Sequence, residues 1–416
     1  MVASDAVPVD VLVAGAGPAG ATAARALASA GARVLLIDKA TFPRNKPCGG
    51  GISVRALSRF PWLGAAIGNI DVHQVSRLHL EGPDGAVLEM SSPGPSIVLI
   101  RRVEFDHALV CEAERAGATL CDGFEITHAA ADADGVTLCA RDGRQWRARA
   151  VIAADGVHSV IAKRLGVNAA WPPRSIAIDM MEETPVDTLW PERPDVLWVS
   201  YGYRGLDGYA YIFPKVRHVN VGVGCLLSHY KKKVDERPYT MQRQLIADLV
   251  ASGALRGRSD RRQFTPFLIP VGGPLRHAHH ARSGRVLFAG DAGGFVNAFT
   301  AEGIYYAMVS GDLAARAVLA AGTSGGAGRA YDTLWRAEIG DELRDAVLIQ
   351  RLLFADPMRV NRLVRAGRAL PWLAELIVDY AAGRVSYKDA RRRVLAASPK
   401  TAARLAWLMV RKRLAG

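Results

Sequence analysis

The chain has 416 residues, 50% of them hydrophobic and 22% charged, with a formal net charge of +13 and a pI of about 9.7. That composition excludes a disordered chain and suffices for a large core with more than one structural unit. The densest basic points are Lys231-Lys232-Lys233, Arg391-Arg392-Arg393 and Arg411-Lys412-Arg413, and none sits in a nucleic-acid-binding signature, so no nucleic acid is expected as partner. A dispersed, solvated charge and a weak attraction to anionic lipid both fit the excess of arginine. The five cysteines (48, 111, 121, 139 and 225) are odd in number, widely spaced and without a CxxC pair. They form neither a disulfide framework nor a zinc site, and no metal is expected. The first ten residues lack the pattern of a signal peptide, and glycines break the uncharged stretch from Val11 to Ala24. The expected compartment is the cytoplasm, with peripheral contact at a membrane surface left open.

In chain order, Val9 to Val13 reads as a buried strand, Ala21 to Ala30 as a helix stopped by Gly31, and Arg33 to Ile37 as a second strand ending in Asp38. Between the first strand and the helix stand Gly15, Gly17 and Gly20, with Pro18 and Ala19 inside the turn. Gly15 permits the tight turn, Gly17 lets backbone approach a pyrophosphate, and Gly20 lets helix and strand pack closely. Asp38, followed by Lys39, is placed to accept hydrogen bonds from ribose hydroxyls. This unit binds a dinucleotide, and by itself it leaves FAD and NAD open.

Two later segments decide for FAD. A strand ends at Ala154-Asp155-Gly156 and a helix follows; another ends at Gly290-Asp291, and a long helix starts after Glu302-Gly303, at Ile304. An acid at a strand end, then small residues and a helix N-terminus, suits a ribityl hydroxyl, a pyrophosphate and a flavin ring edge. Between the segments, VLWVSYGYRG and YAYIFPKVRHVNVGVGCLL alternate like half-buried strands around a turn at Gly205 to Gly208. Tyr209, Tyr211 and Phe213 fall on one face of their strand, and either wall a pocket or serve as sheet-core aromatics. Lys215 reads as a solvated lysine after a proline turn. His277, His279 and His280 read as surface histidines, since no carboxylate or cysteine nearby in sequence completes a metal site.

With these residues in place, the chain resembles the FAD-dependent geranylgeranyl reductase family, within the para-hydroxybenzoate hydroxylase-like flavoproteins. The resemblance rests on Gly15-Gly17-Gly20, KPCGGG at Lys46 to Gly51, Arg102 to Asp106, Ala154 to Gly156, and Gly290 to Ile304. YAYIFPK at Tyr209 to Lys215 agrees, with Tyr211 where the family usually carries tryptophan; Ala298 and Ala301 stand where proline and glycine are common. The resemblance implies an α/β fold: a Rossmann-like FAD domain (1–70, 101–165 and 275–325), an inserted antiparallel-sheet substrate domain (71–100 and 166–274) and a helical C-terminal region (326–416). It also implies that Arg102 contacts the FAD, that Ile126 offers backbone to the adenine, and that Cys48, Gly49, Gly50 and Gly51 lie beside the flavin, where the glycines leave room for a planar ring.

The implied activity is saturation of isolated double bonds in an isoprenoid chain, by hydride from flavin N5 plus a proton. Such an alkene takes hydride only if protonation accompanies it, so a dry channel and a proton donor are required. Cys48, Tyr209 and Tyr211 are the candidates for chemical roles. Only one dinucleotide fingerprint is visible, so electrons come from NAD(P)H bound transiently or from a carrier such as ferredoxin. Two rivals remain: an FAD monooxygenase acting on an aromatic or polyketide-like substrate, and a flavin-bearing isoprenoid carrier or redox sensor.

Overall fold

The structure, a computed structural model, describes residues 9–322 and 326–397. Strand Val11–Ala14 is buried at all four positions, as its unbroken apolar run requires of a strand covered on both faces. It is the middle of a five-stranded sheet ordered Val286–Phe288, Ala150–Ala153, Val11–Ala14, Val34–Ile37, Thr119–Cys121, and every pair is parallel. Ligands of such sheets bind beyond the carboxyl ends of the strands. Gly15, Asp38 and Ala154 follow directly on three of those ends, and Gly290 lies just beyond a fourth.

The helix after the first strand runs Pro18–Ser29. It starts three residues earlier than its alanine run suggests, because proline is tolerated in a first turn. Gly31 has φ +86° and ends it as expected. Gly15 has φ +96°, and a Cβ at Gly20 would stand 1.7 Å from the Gly15 carbonyl oxygen. Helix Ile304–Ala321 crosses Pro18–Ser29 so closely that a Cβ at Gly311 would meet the Ala19 carbonyl oxygen at 2.1 Å.

Over this unit stands a seven-stranded sheet ordered Phe264–Pro270, Ile176–Pro185, His218–Leu226, Gly208–Pro214, Val196–Tyr201, Arg77–Glu81, Val87–Ser91. Val196–Tyr201 and Arg77–Glu81 run parallel; the other neighbours are antiparallel. Segment 71–100 is divided: its outer strands Val72–Val75 and Ile97–Ile100 pair with each other, and Ile97–Ile100 also with Gly51–Ser53, in a separate small sheet. A fourth sheet joins Ile126–Ala131, Val136–Ala140 and Gln145–Ala148.

After residue 326 the described chain is helical, with Ala327–Trp335, Asp341–Phe354, Pro357–Ala369, Pro371–Ala381 and Tyr387–Ala397. Val360, Val364 and Val378 pack on Leu78, Leu88, Leu197 and Val199 of the large sheet. Arg411-Lys412-Arg413 lies outside the described residues. Among those described, no helix is long and apolar enough to cross a membrane.

Gly311→Ala should destabilise the protein by about 1–3 kcal/mol in urea unfolding, because the added methyl has only backbone to displace.

Candidate active site

A cavity opens between the parallel-sheet unit, the large sheet and the C-terminal helices. One end is walled by Pro18, Cys48 to Gly51, Arg102, Asp291 and Gly303-Ile304. The other is walled by Leu78, Leu197, Val199, Tyr201, Tyr209, Tyr211 and Phe213, with Phe354, Ile377 and Tyr380 from the C-terminal helices. Alternation on strand Gly208–Pro214 puts its three aromatics on the cavity side, and their rings run in a row with centroids 6.2 and 4.6 Å apart. They wall the cavity and also pack in the core of the large sheet, so both readings hold. Tyr201 joins the row and stacks on Phe299 at 5.8 Å.

The hydroxyls of Tyr209 and Tyr211 are committed. Tyr209 donates to the Thr300 carbonyl at 2.8 Å, and Tyr211 donates to Asp179 Oδ2 at 3.0 Å. Tyr211 crosses a whole strand to do so. Its register partner on His218–Leu226 is Gly222, and the partner of Asp179 is Gly224. A Cβ at Gly222 would stand 2.4 Å from the Tyr211 oxygen. Burial pushes Asp179 up to about 6, against the lowering hydrogen bond from Tyr211.

The Cys48 loop is shaped by its neighbours. Cys48 Sγ accepts from the Gly50 amide at 3.4 Å, and its carbonyl accepts from Asn220 Nδ2 at 3.2 Å. The glycines answer to protein as well as to open space, since neighbouring side chains and backbone fill the places their Cβ atoms would take. A Cβ at Gly49 would meet the Phe213 ring at 2.8 Å, and one at Gly50 would meet the Ile100 carbonyl oxygen at 2.1 Å. Gly50 also has φ +77°.

Buried ion pairs brace the cavity. Arg102 holds Asp106 through two 2.7 Å hydrogen bonds, and Arg44 adds a third of the same length. Despite burial, these cations keep the Asp106 carboxyl below its ordinary range. Lys46 reaches Asp291 at 3.1 Å. Arg55 binds Glu302 at 2.9 Å and Glu342 at 2.7 Å, under the Tyr305 ring. Lys215 is buried rather than solvated, correcting its sequence reading: it pairs with Glu183, which Arg101 also approaches at 3.4 Å. The histidine reading is corrected in part: His277 is exposed as expected, but His279 is buried. Asp332 joins His277 and His279, and the three present ligand atoms within 4.8 Å of one another. That acid also accepts from the Ala278 amide, the Trp335 indole and Arg336, so it latches helix Ala327–Trp335 to the loop, and the guanidinium opposes a metal cation.

The remaining candidates lie along the sheet edge. Asp38 is buried and accepts from the amides of Ala16 at 2.7 Å and Ala40 at 2.9 Å, while Lys39 beside it is exposed. Asp38 also touches the 121–124 segment just before Ile126, through backbone hydrogen bonds with Cys121 and Phe124. Asp155 turns into its own loop, accepting from Ser159 at 2.6 Å and the Ile161 amide at 3.2 Å; Gly156 carries the positive φ of that turn. Gly290 opens the short helical turn that carries Asp291. Sequence reading missed Asp179, Arg55, Glu302 and Glu183. The signal for Asp179 was an acid inside the apolar run IAIDMM.

The residues present fit FAD. Helix Pro18–Ser29 has no side-chain cap and no acid in its first turn. A Cβ at Gly17, at its head, would approach only the Arg44 guanidinium, at 3.5 Å. Free amides, a helix N-terminus and a nearby cation are what a diphosphate requires.

This fold and site define an FAD-dependent oxidoreductase. The FAD binding domain family model matches residues 8–331. A menaquinone reductase of Mycobacterium tuberculosis is 33% identical over 331 residues, 74% of this chain and 75% of the relative. A digeranylgeranylglycerophospholipid reductase of Methanothermobacter thermautotrophicus is 28% identical over 95% of this chain and 97% of its own. A geranylgeranyl bacteriochlorophyll reductase-like protein of Thermoplasma acidophilum shares the fold, with a TM-score of 0.77 at 20% identity over 96% of this chain and 98% of that one. The chain belongs to the FAD binding domain family and, within it, to the geranylgeranyl reductase-like flavoproteins.

Two predictions follow from the buried charges and the backbone. Glu183→Gln should cost about 3–5 kcal/mol in urea unfolding by leaving the Lys215 cation uncompensated, and adding Lys215→Met should recover most of it. Ala301 lies on the cavity wall with φ +54°, so Ala301→Gly should stabilise the protein by roughly 1 kcal/mol.

Proposed function

We propose that the protein saturates isolated carbon–carbon double bonds in the isoprenoid chain of a lipid or quinone. The observation that carries this reading is the cavity itself. A flavin-type cradle at one end runs without a break into a long wall of aromatic and aliphatic side chains at the other. Relatives named for menaquinone and digeranylgeranylglycerophospholipid reduction support the substrate class.

FAD, when bound and reduced, supplies the hydride. Gly15, Gly17 and the head of helix Pro18–Ser29 hold its diphosphate, and Asp38 fixes the loop beside its adenosine. Arg102 and the Cys48 loop bound the ring end of the cradle. The row from Tyr201 to Phe213 orients the alkyl chain and keeps water away, which sharpens the fields acting on a developing cation. Aromatic faces also favour positive charge near them. The electrons arrive from outside, from NAD(P)H or a ferredoxin-type carrier.

The substrate enters from a membrane surface. Helix Pro357–Ala369 turns Met358, Arg362, Arg365 and Ala369 outward at helical spacing, and Leu370 and Trp372 continue the face. The two helices that flank it contribute Phe354, Ile377 and Tyr380 to the cavity. Basic and apolar groups on one face suit anionic lipid.

Three measurements test this reading. The anaerobically reduced protein, offered host lipids and quinones, should yield products heavier by two hydrogens in mass spectrometry; a gain of oxygen would sink the proposal. Cys48→Ala should bind FAD within about threefold of wild type and turn over on the order of tenfold more slowly, because the loop that aligns the reacting groups loses its Sγ contact. Wild type should co-sediment with anionic but not neutral vesicles, and both salt and Trp372→Ala should weaken that association.

A further inference from the structure

Asp179 sits inside an apolar strand and lines the cavity. Oδ2 takes one hydrogen bond, from Tyr211. Oδ1 is buried and has no hydrogen-bond partner among the described residues. Ionised, this carboxylate would pay for desolvation with a single neutral donor in return; protonated, it keeps a hydrogen available to whatever occupies the cavity. The sheet is built to permit this. Gly222 clears the intervening strand for the Tyr211 hydroxyl, and glycine in a strand interior costs about 0.5–1 kcal/mol relative to alanine. An acid that served only packing would not call for such a floor, since an apolar residue fills the same space without a buried unpaired oxygen.

Asp179 and the Cys48 loop line the same cavity. The Tyr211 ring that holds it lies 3.7 Å from the position of a Cβ on Gly49. The titratable groups around Asp179 are few. Tyr211 and Tyr209 face it from Gly208–Pro214, and both are pushed well above the ordinary tyrosine range, chiefly by burial, so they stay neutral. Cys225 comes from His218–Leu226, and burial pushes its thiol up to about 12. The neighbouring strand Phe264–Pro270 offers Phe267 at the paired position. Asp207 lines the same cavity, and burial pushes its carboxyl up to about 7. Burial and the Tyr211 hydrogen bond set the state of Asp179, and the Lys46 ammonium, 4.9 Å from the Phe267 ring centroid, lines the same cavity.

We propose that Asp179, held in place by Tyr211, is the proton donor in double-bond reduction. The proposal rests on the reductase reading above. The O–H bond of Asp179 breaks as a new C–H bond forms at one alkene carbon. The other carbon takes the hydride from the reduced flavin. The products are a saturated bond, oxidised flavin and an Asp179 carboxylate, which Tyr211 stabilises by its hydrogen bond until solvent restores the proton.

The experiment has two arms on the FAD-loaded protein. In the first, Asp179→Asn keeps the shape and removes the acid. Formation of the two-hydrogen product should fall at least about 100-fold while FAD affinity stays within about twofold. Wild-type turnover should fall about tenfold per pH unit above the carboxyl midpoint, because the acid form is the active one. In the second arm, infrared difference spectra against Asp179→Asn should show a protonated carboxyl band that vanishes around pH 6. In Tyr211→Phe that midpoint should rise, since the hydrogen bond that favours the carboxylate is gone. An Asp179→Asn enzyme within threefold of wild type, or no such band at pH 5, would overturn the proposal while leaving the reductase reading standing. A wild-type protein that adds no hydrogen to any isoprenoid overturns that reading, and the proton-donor role with it.

Discussion

Two helices can meet at one edge of the parallel sheet only because glycine stands where their backbones touch. Gly20 rests on Gly15, and Gly311 rests on Ala19. A side chain at Gly20 would push helix Pro18–Ser29 off its own turn, and one at Gly311 would hold the two helices apart. The close crossing brings the heads of Pro18–Ser29 and Ile304–Ala321 to the same cavity, with Pro18 and Ile304 both in its wall. Two N-termini directed at one place make a fixed positive region without any charged side chain. The cofactor cradle follows from that geometry, and the large sheet and the C-terminal helices complete a container whose base is already set.

The charged groups around the cavity are arranged in small closed sets. Arg102, Asp106 and Arg44 form one; Arg55, Glu302 and Glu342 another; Lys215, Glu183 and Arg101 a third. Each joins segments far apart in the chain. Buried pairs of this kind return little net stability against matched apolar residues, because desolvation absorbs most of the attraction. What they provide is position. Arg102 lines the cavity beside the Cys48 loop, the Lys215 ammonium lies behind Gly50, and Arg55 and Glu302 hold Ser53 at the loop's downstream end.

How much of this was legible in the sequence follows from where each interaction partner lies. The fingerprint around Gly15 could be read because strand, turn, helix and acid fall within about thirty residues. The aromatic row from Tyr209 to Phe213 could be read as a face, since a strand's period is two, but the ring of Tyr201 that joins it could not. Lys215 was misread because a lysine after proline usually meets water, and its partner Glu183 lies 32 residues away on another strand. The histidine group was partly misread for the same reason: Asp332 arrives from 55 residues downstream of His277. Asp179 was passed over entirely. An acid in an apolar run has no meaning until the strands beside it are known.

Gly222 has no functional group, yet the contact between Tyr211 and Asp179 depends on it. Function in this sheet is held partly by an omission. A catalogue of reactive side chains would pass over the position, and a mutational drift of a single methyl there would disconnect two residues that themselves stay unchanged. The reach of one tyrosine thus makes a chemically silent site as exacting as the acid it uncovers.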